Sequence, residues 1–305
     1  MRHPRQQRVE RRRVLPGDLH LVEGAGAVAL YAFFRVLPLA AASAAGGFLA
    51  RSLGPRLALS RRALGNLQRA MPEIGEEEGR RIIRGMWDNL GRVIAEYPHL
   101  GKYRVYERGG RIEIRGAEHI RAQAAPGKRA IFFSGHFGNW EVPTLALTQA
   151  GLAVVEMYRA ANNPIVDQLI SHSRSVVGSE LAAKGSTGAR RMLAAMKSHR
   201  HIAMLVDQKA NDGIAVPFFG RDAMTMPSPA VFARRFGCAL VPVRVDRLPR
   251  AHFRITVEPP LALAPSGAAE DDARAIMTQV NQVLERWIRE RPDHWFWLHR
   301  RWPDS

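Results

Sequence analysis

Cysteine is almost missing from this chain: Cys238 is the single one among 305 residues, so no internal disulfide can form. It precedes the apolar run Ala239-Leu240-Val241. That is the setting of a small core residue, because a reactive thiol wants positive charge and partial exposure. One unpaired cysteine fits a reducing compartment. Lysine is scarce as well, since five of the 45 basic residues are lysine and 40 are arginine. There is no Gly-x-Ser-x-Gly nucleophile elbow, no phosphate loop ending in Gly-Lys-Ser/Thr and no Gly-x-Gly-x-x-Gly dinucleotide fingerprint. Paired cysteines and His-x-x-x-His are absent, which removes the usual zinc signatures. The expected chemistry therefore calls on no cofactor and no metal. Acidic residues are too few to balance the basic ones, leaving a formal net charge of +17. Such a chain suits a polyanionic partner: anionic lipid, a phosphorylated substrate or an acidic carrier protein. It lacks an aromatic-plus-basic recognition motif, so nucleic acid is not expected.

What is present is 46% hydrophobic content, enough for one large domain or two small ones. Met1 to Arg13 holds six arginines and no apolar run, and reads as a solvated basic arm. Gly24 to Ala50 is the most apolar stretch, with Arg35 its one charge and Pro38 close behind. A spanning helix needs about 20 apolar residues, and Arg35 divides this stretch into lengths of 11 and 15. Both flanks are basic, so the positive-inside rule sets no orientation. Three readings stand: a membrane span, an interfacial or re-entrant anchor with arginines on the headgroups, or a buried helix pair. Residues 1–55 are thus expected to form a basic arm and a membrane-associated apolar helical segment, and residues 56–305 a separate domain.

From Leu57 onward the pattern alternates. Ile83, Met86, Trp87, Leu90, Val93, Ile94 and Tyr97 recur at helical spacing. Runs rich in branched residues at Ala130–Phe133, Leu152–Met157, Ile202–Val206 and Ala239–Val245 read as buried strands. Asn163-Pro164 reads as a cap followed by a first-turn proline, Ser186 as a further helix start, and Asp272 to Arg289 as a last helix. Strands alternating with helices predict an α/β fold with a central, mostly parallel sheet flanked by helices.

The segment that can carry chemistry is Ser134-Gly135-His136-Phe137-Gly138-Asn139-Trp140-Glu141. A buried strand ends at Ser134, the glycines turn the chain, and a helix starts near Trp140 or Glu141. Open α/β sheets place their sites at such strand ends. His136 has the side chain whose ordinary pKa suits proton transfer near neutrality. Glu141, five residues on, is expected to bond the far ring nitrogen and fix the tautomer. Backbone N–H groups at Gly138 and Asn139 are oxyanion candidates. The spacing alone is weak, because composition predicts about one such pair by chance. The chain holds two, His136/Glu141 and His299/Asp304, and only the first follows a strand.

The His-x4-Glu run resembles the His-x4-Asp/Glu motif of the glycerolipid acyltransferase superfamily. The wider sequence is similar to its lipid A late acyltransferase branch, the lauroyl/myristoyl enzymes. Four further segments carry the resemblance: Asn66-Leu67 with Met71-Pro72-Glu73; Tyr158-Arg159 through Asn163-Pro164; Asp207-Gln208 with Val216-Pro217-Phe218-Phe219-Gly220; and Trp297-Leu298-His299-Arg300-Arg301-Trp302. The match runs from about Leu21 to Pro303.

The resemblance implies an O-acyltransferase at the cytoplasmic face of the cell inner membrane. It would take its acyl group from acyl carrier protein and place it on a hydroxyl of a lipid A precursor, forming an acyloxyacyl ester. His136 is then the general base and Glu141 its partner. Arg159, Asn139 and Asp207 are substrate-binding candidates, Arg159 toward phosphate and Asp207 at the end of the Ile202–Val206 strand. Gly138-Asn139-Trp140 between the pair is also a form seen in actinobacterial mannolipid acyltransferases, which leaves a phosphatidylinositol mannoside open as acceptor. A basic membrane- or RNA-binding protein without catalysis is the reading from another class. Trp295, Trp297 and Trp302 fit an interfacial belt or core packing equally well.

Overall fold

The computed structural model describes residues 17–263 and 267–302. The basic arm at Met1–Arg13 lies outside them. In chain order the helices and strands are α1 (Gly17–Val36), α2 (Leu39–Leu53), α3 (Ala58–Ala70), α4 (Glu76–Glu96), β1 (Ile112–Arg115), α5 (Ala117–Gln123), β2 (Ala130–Ser134), α6 (Val142–Gln149), β3 (Val154–Tyr158) and α7 (Pro164–Arg174). There follow β4 (Glu180–Ala183), α8 (Ser186–Lys197), β5 (His201–Leu205), β6 (Ile214–Phe218), β7 (Arg221–Thr225), α9 (Ser228–Phe236), β8 (Ala239–Leu248), β9 (His252–Val257) and α10 (Ala269–Glu290).

Seven strands form one sheet in the order β1-β9-β8-β2-β5-β3-β4. Every neighbouring pair runs parallel except β8 with β9. The expected mostly parallel sheet is therefore present, with β6 and β7 as a separate antiparallel hairpin. Helices cover both faces, which is why β2 reads as an unbroken apolar run: all five of its residues are buried. The Asn163 cap is realised, its side-chain oxygen accepting from Ile165 N at 3.0 Å. Five strands, β1, β4, β6, β7 and β9, lie outside the sequence expectation. β1 and β4 are only four residues long and β1 is half charged; β6 is apolar but holds Pro217, which argues against a strand, and β7 carries mixed polarity. β9 was missed too, although His-Phe-Arg-Ile-Thr-Val alternates cleanly between half-exposed and buried positions.

The apolar N-terminal stretch is a helix pair broken at Pro38. Among the described residues no helix is long and apolar enough to cross a membrane, which corrects the spanning reading; Arg35 and Pro38 interrupt the run. The buried-pair reading holds for one member, since α2 packs closely along α4. A methyl group on Gly46 would sit 2.3 Å from Gly91 O, and one on Gly91 would sit 2.1 Å from Gly46 O. Only paired glycines permit that approach. Ser43 Oγ donates to Glu96 at 2.7 Å and Arg51 pairs with Asp88 at 2.8 Å across the same contact. α1, in contrast, leaves Leu21, Val22, Val28, Leu30, Phe33 and Val36 exposed. Phe48, Leu49 and Leu53 of α2, Leu59 of α3 and Leu57 between them are exposed as well.

The three C-terminal tryptophans Trp295, Trp297 and Trp302 are fully buried, which settles their alternative in favour of core packing.

Candidate active site

Parallel register builds the site. Ser134 of β2 pairs with Leu205 of the adjacent β5. His136 and Asp207 each lie two residues past that pair, so both emerge side by side at the carboxyl edge of the sheet. β3, on the far side of β5, ends at Tyr158 and delivers Arg159 to the same edge. Three neighbouring strands thus converge where open α/β sheets place their sites.

His136 Nδ1 lies 2.8 Å from Asp207 Oδ1, and His136 N donates to Asp207 Oδ2 at 2.7 Å. Trp295 Nε1 donates to Oδ2 as well, at 2.7 Å. This corrects the expected His136–Glu141 bond: the far ring nitrogen is held by Asp207. The same contacts correct Asp207 as a substrate-binding candidate, because it is fully buried and both of its oxygens are engaged. Burial would raise the Asp207 carboxyl; the charge and hydrogen bonds of His136, with His299 behind, hold it well below the usual range. An ionised Asp207 accepts the Nδ1 proton, leaving His136 Nε2 with the free lone pair.

Glu141 turns the other way. Its carboxylate takes a bidentate ion pair from Arg174, at 2.7 and 2.6 Å, and a hydrogen bond from Tyr97 Oη at 2.7 Å. Burial opposes its charge, but the Arg174 guanidinium outweighs burial and keeps it ionised. Glu156 lies in the same buried network. Burial, then the charge of Glu141, push its carboxyl up to about 7.

The turn itself is packed shut. Gly138 has φ +48°, and a side chain there would meet Val245 O at 2.8 Å. Its N–H donates to His294 O at 3.3 Å, which removes it as an oxyanion donor. Asn139 is fully buried; its side chain donates to Glu96 at 2.8 Å and accepts from Glu141 N at 3.1 Å. Asn139 therefore braces the turn and its side chain has no access to substrate. Arg159 is exposed and stands where expected, at the cleft.

That cleft has a volume of about 370 Å³ and is lined by His136, Arg159, Arg174, Lys184 and Gln208 among others. His136 is 14% exposed into it. Three further residues reach the site that spacing did not reveal. Gln208 Nε2 lies 3.2 Å from His136 Nε2 and 3.4 Å from His299 Nε2. The His136 and His299 rings are 5.0 Å apart. Burial, then the neighbouring His136, push the His299 ring down to about 3, so it is neutral. Arg174 was missed because it closes a helix 33 residues beyond Glu141. Among the described residues no group of three or more His, Cys, Asp or Glu is arranged to hold a metal ion.

A histidine held by a buried carboxylate, opening its free nitrogen into a cation-lined cleft at parallel strand ends, defines a site suited to proton transfer from a hydroxyl. Residues 19–304 match the family model for bacterial lipid A biosynthesis acyltransferases. The chain is 27% identical to the lipid A biosynthesis lauroyltransferase of Escherichia coli over 243 residues, covering 77% of this chain and 76% of that protein. It is 24% identical to the lipid A biosynthesis acyltransferase of Haemophilus influenzae, over 78% of this chain and 73% of that one. Among solved structures, the 1-acyl-sn-glycerophosphate acyltransferase of Thermotoga maritima aligns at a TM-score of 0.37 and 14% identity, over 91% of this chain and 99% of that chain. The chain belongs to the bacterial lipid A biosynthesis acyltransferase family. It is an enzyme of lipid A synthesis that transfers an acyl group from a donor to a lipid acceptor.

Proposed function

We propose that the enzyme transfers a fatty acyl group from acyl carrier protein to a hydroxyl of a lipid A precursor, forming an acyloxyacyl ester, with His136 as general base. The single observation that carries this reading is the His136–Asp207 pair facing the cleft. The acceptor hydroxyl bonds His136 Nε2 and attacks the thioester carbonyl carbon. Its proton passes to Nε2, and Asp207 stabilises the resulting imidazolium. The C–S bond then breaks and the leaving sulfur takes that proton back. The step draws only on side chains of the chain itself. Glu141 acts from behind, holding Arg174 at the cleft wall. Arg159 and Lys184 offer charge to the phosphates of the acceptor or to the acidic donor.

The enzyme works at the cytoplasmic face of the inner membrane, with the exposed apolar surface of α1 and α2 in the interface. Arg51, Arg56, Arg61 and Arg62 flank that surface and suit anionic headgroups. The lauroyltransferase and acyltransferase names of the relatives support a lipid A precursor as acceptor.

The test is transfer of labelled acyl groups from a panel of acyl carrier protein thioesters to a lipid A precursor, in membranes carrying wild type or His136→Ala. Wild-type transfer that falls about 10²–10⁴-fold in the variant is expected of a lost general base. Equal transfer by both would overturn the mechanism. No transfer by the wild type with any thioester would overturn the donor or acceptor assignment.

A further inference from the structure

General-base attack on a thioester places a negative charge on the carbonyl oxygen, and something must donate to it. In the turn after β2, four of the six backbone donors from His136 to Glu141 are already taken. His136 N is bonded to Asp207, Phe137 N to Gly135 O, Gly138 N to His294 O and Glu141 N to Asn139 Oδ1. We infer that Gln208 is the catalytic residue that donates an amide N–H to this oxyanion, and that His299 is the positioning residue that aims it. The inference rests on the reading of His136 as the base.

The geometry is specific. Gln208 follows Asp207 directly, so the strand end that holds the Nδ1 side of His136 also places a donor on its Nε2 side. With the ring proton on Nδ1, Nε2 is an acceptor, and only the amide nitrogen of Gln208 suits the 3.2 Å contact. The second amide hydrogen meets His299 Nε2 at 3.4 Å. A neutral His299 ring can accept it. Asn66 Nδ2 donates to His299 O at 2.8 Å and to Trp297 O at 3.0 Å, which anchors the segment that carries the ring. Thus one hydrogen of the amide is tethered by a buried ring, and the other points at the nitrogen that the acceptor hydroxyl must occupy.

When the hydroxyl takes Nε2, the hydrogen pointing there is released beside the attacking oxygen. The carbonyl carbon arrives at that oxygen, and its own oxygen comes within reach of the freed N–H. The hydroxyl oxygen forms the new C–O bond, its proton goes to His136 Nε2, and the carbonyl π electrons move onto the oxygen that Gln208 holds. Collapse reverses that last shift and expels the sulfur, which leaves with the proton from Nε2. In the resting enzyme the same amide covers Nε2 until an acceptor displaces it.

The experiment measures kcat, KM for each substrate and the pH profile for Gln208→Met, a near-isosteric variant without N–H, beside wild type and His136→Ala. Loss of one oxyanion donor is expected to lower kcat by about 10²–10³-fold, a loss that persists at saturating substrate and at the pH optimum, with the donor KM unmoved. His299→Phe should lower kcat less, and the double variant should be no slower than Gln208→Met alone, because both act through one hydrogen bond. A merely structural His299 would instead add its loss to the first. Gln208→Met with kcat within about threefold of wild type overturns the inference, as does a loss lying wholly in KM or in a shifted pH profile. If Gln208→Met does not fold, Gln208→Ala with its melting temperature measured takes its place under the same criteria. If His136→Ala alone abolishes transfer while Gln208→Met keeps it, this inference falls and the base reading stands. If both variants keep it, the base reading falls too.

Discussion

The turn after β2 and the helix pair at the N-terminus invert the usual partition of residues in opposite senses. Around His136 the chain buries charge: Asp207, Glu141 and Glu96 are each at most 1% exposed. Along α1 it exposes oil: Phe33 is 49% and Val36 80% exposed. A buried charge is tolerated only when paired and hydrogen-bonded, and each of these carboxylates is. Asp207 has His136 and Trp295, Glu141 has Arg174 and Tyr97, and Glu96 has Arg247 at 3.0 Å and Asn139. The apolar surface has no such satisfaction within the described residues, so it points to an environment outside the chain. The first inversion fits catalysis and the second fits docking to lipid. The two meet in α4, which packs on α2 along its length and sends Tyr97, just past its end, to Glu141.

The contrast can be broken from either side. The largest effect is expected on the polar side from His136→Ala, at about 10²–10⁴-fold in transfer, with little change in membrane binding. On the apolar side, Phe33→Asp is expected to weaken binding to anionic vesicles by about tenfold or more, since burying such a side chain contributes about 1.5–3 kcal/mol. Flotation assays check it; transfer to a detergent-dispersed acceptor should stay near wild type. Unchanged flotation would detach α1 from the membrane reading. At the junction, Gly46→Val forces a side chain against Gly91 and is expected to cost about 1–3 kcal/mol by overpacking, read as a lower denaturation midpoint. A wild-type midpoint would mean that α2 is not packed on α4 as described.

The smallest effect concerns Glu156. Its carboxyl is raised from 4.5 to about 7 in the folded protein. The folded state therefore holds a proton there that the unfolded chain has released. The stability it contributes is present below about pH 4.5 and is lost as pH rises through about 7. Glu156→Gln should flatten the fall in melting temperature across that window. Parallel melting curves for both proteins would contradict the assignment.

Much of this was legible from residue patterns, and the misses have physical reasons. Mainly apolar runs, interrupted by Glu156 in β3 and Arg244 in β8, announced β2, β3, β5 and β8 because strands inside such a sheet are covered on both faces. Arg159 and His136 were legible because each follows such a run. The partner of His136 was not. Glu141 is near in sequence, whereas Asp207 is 71 residues away and is brought alongside by the Ser134–Leu205 register. Equal offsets past two adjacent parallel strands would have found it, had the strand order been known. His299 and Trp295 arrive from the C-terminal tail, and no local period reports a contact of that span. The tail's tryptophans fit a belt as well as a core on sequence because arginines surround them, yet Arg301 is itself buried and donates to Met224 O at 2.9 Å.

The most direct test is a side-by-side comparison of Asp207→Asn and Glu141→Gln in acyl transfer, with the melting temperature of each. Asp207→Asn reverses the hydrogen-bonding preference at Nδ1. It should cut kcat by about 10²-fold or more while the protein still folds, since the wrong tautomer disables the base. Glu141→Gln removes the charge opposite buried Arg174. Breaking such a pair costs about 3–5 kcal/mol, so its loss of activity should track a loss of folded protein. The opposite result, with Asp207→Asn active and Glu141→Gln fully folded but inactive, would return the ring partnership to Glu141 and contradict the site described here.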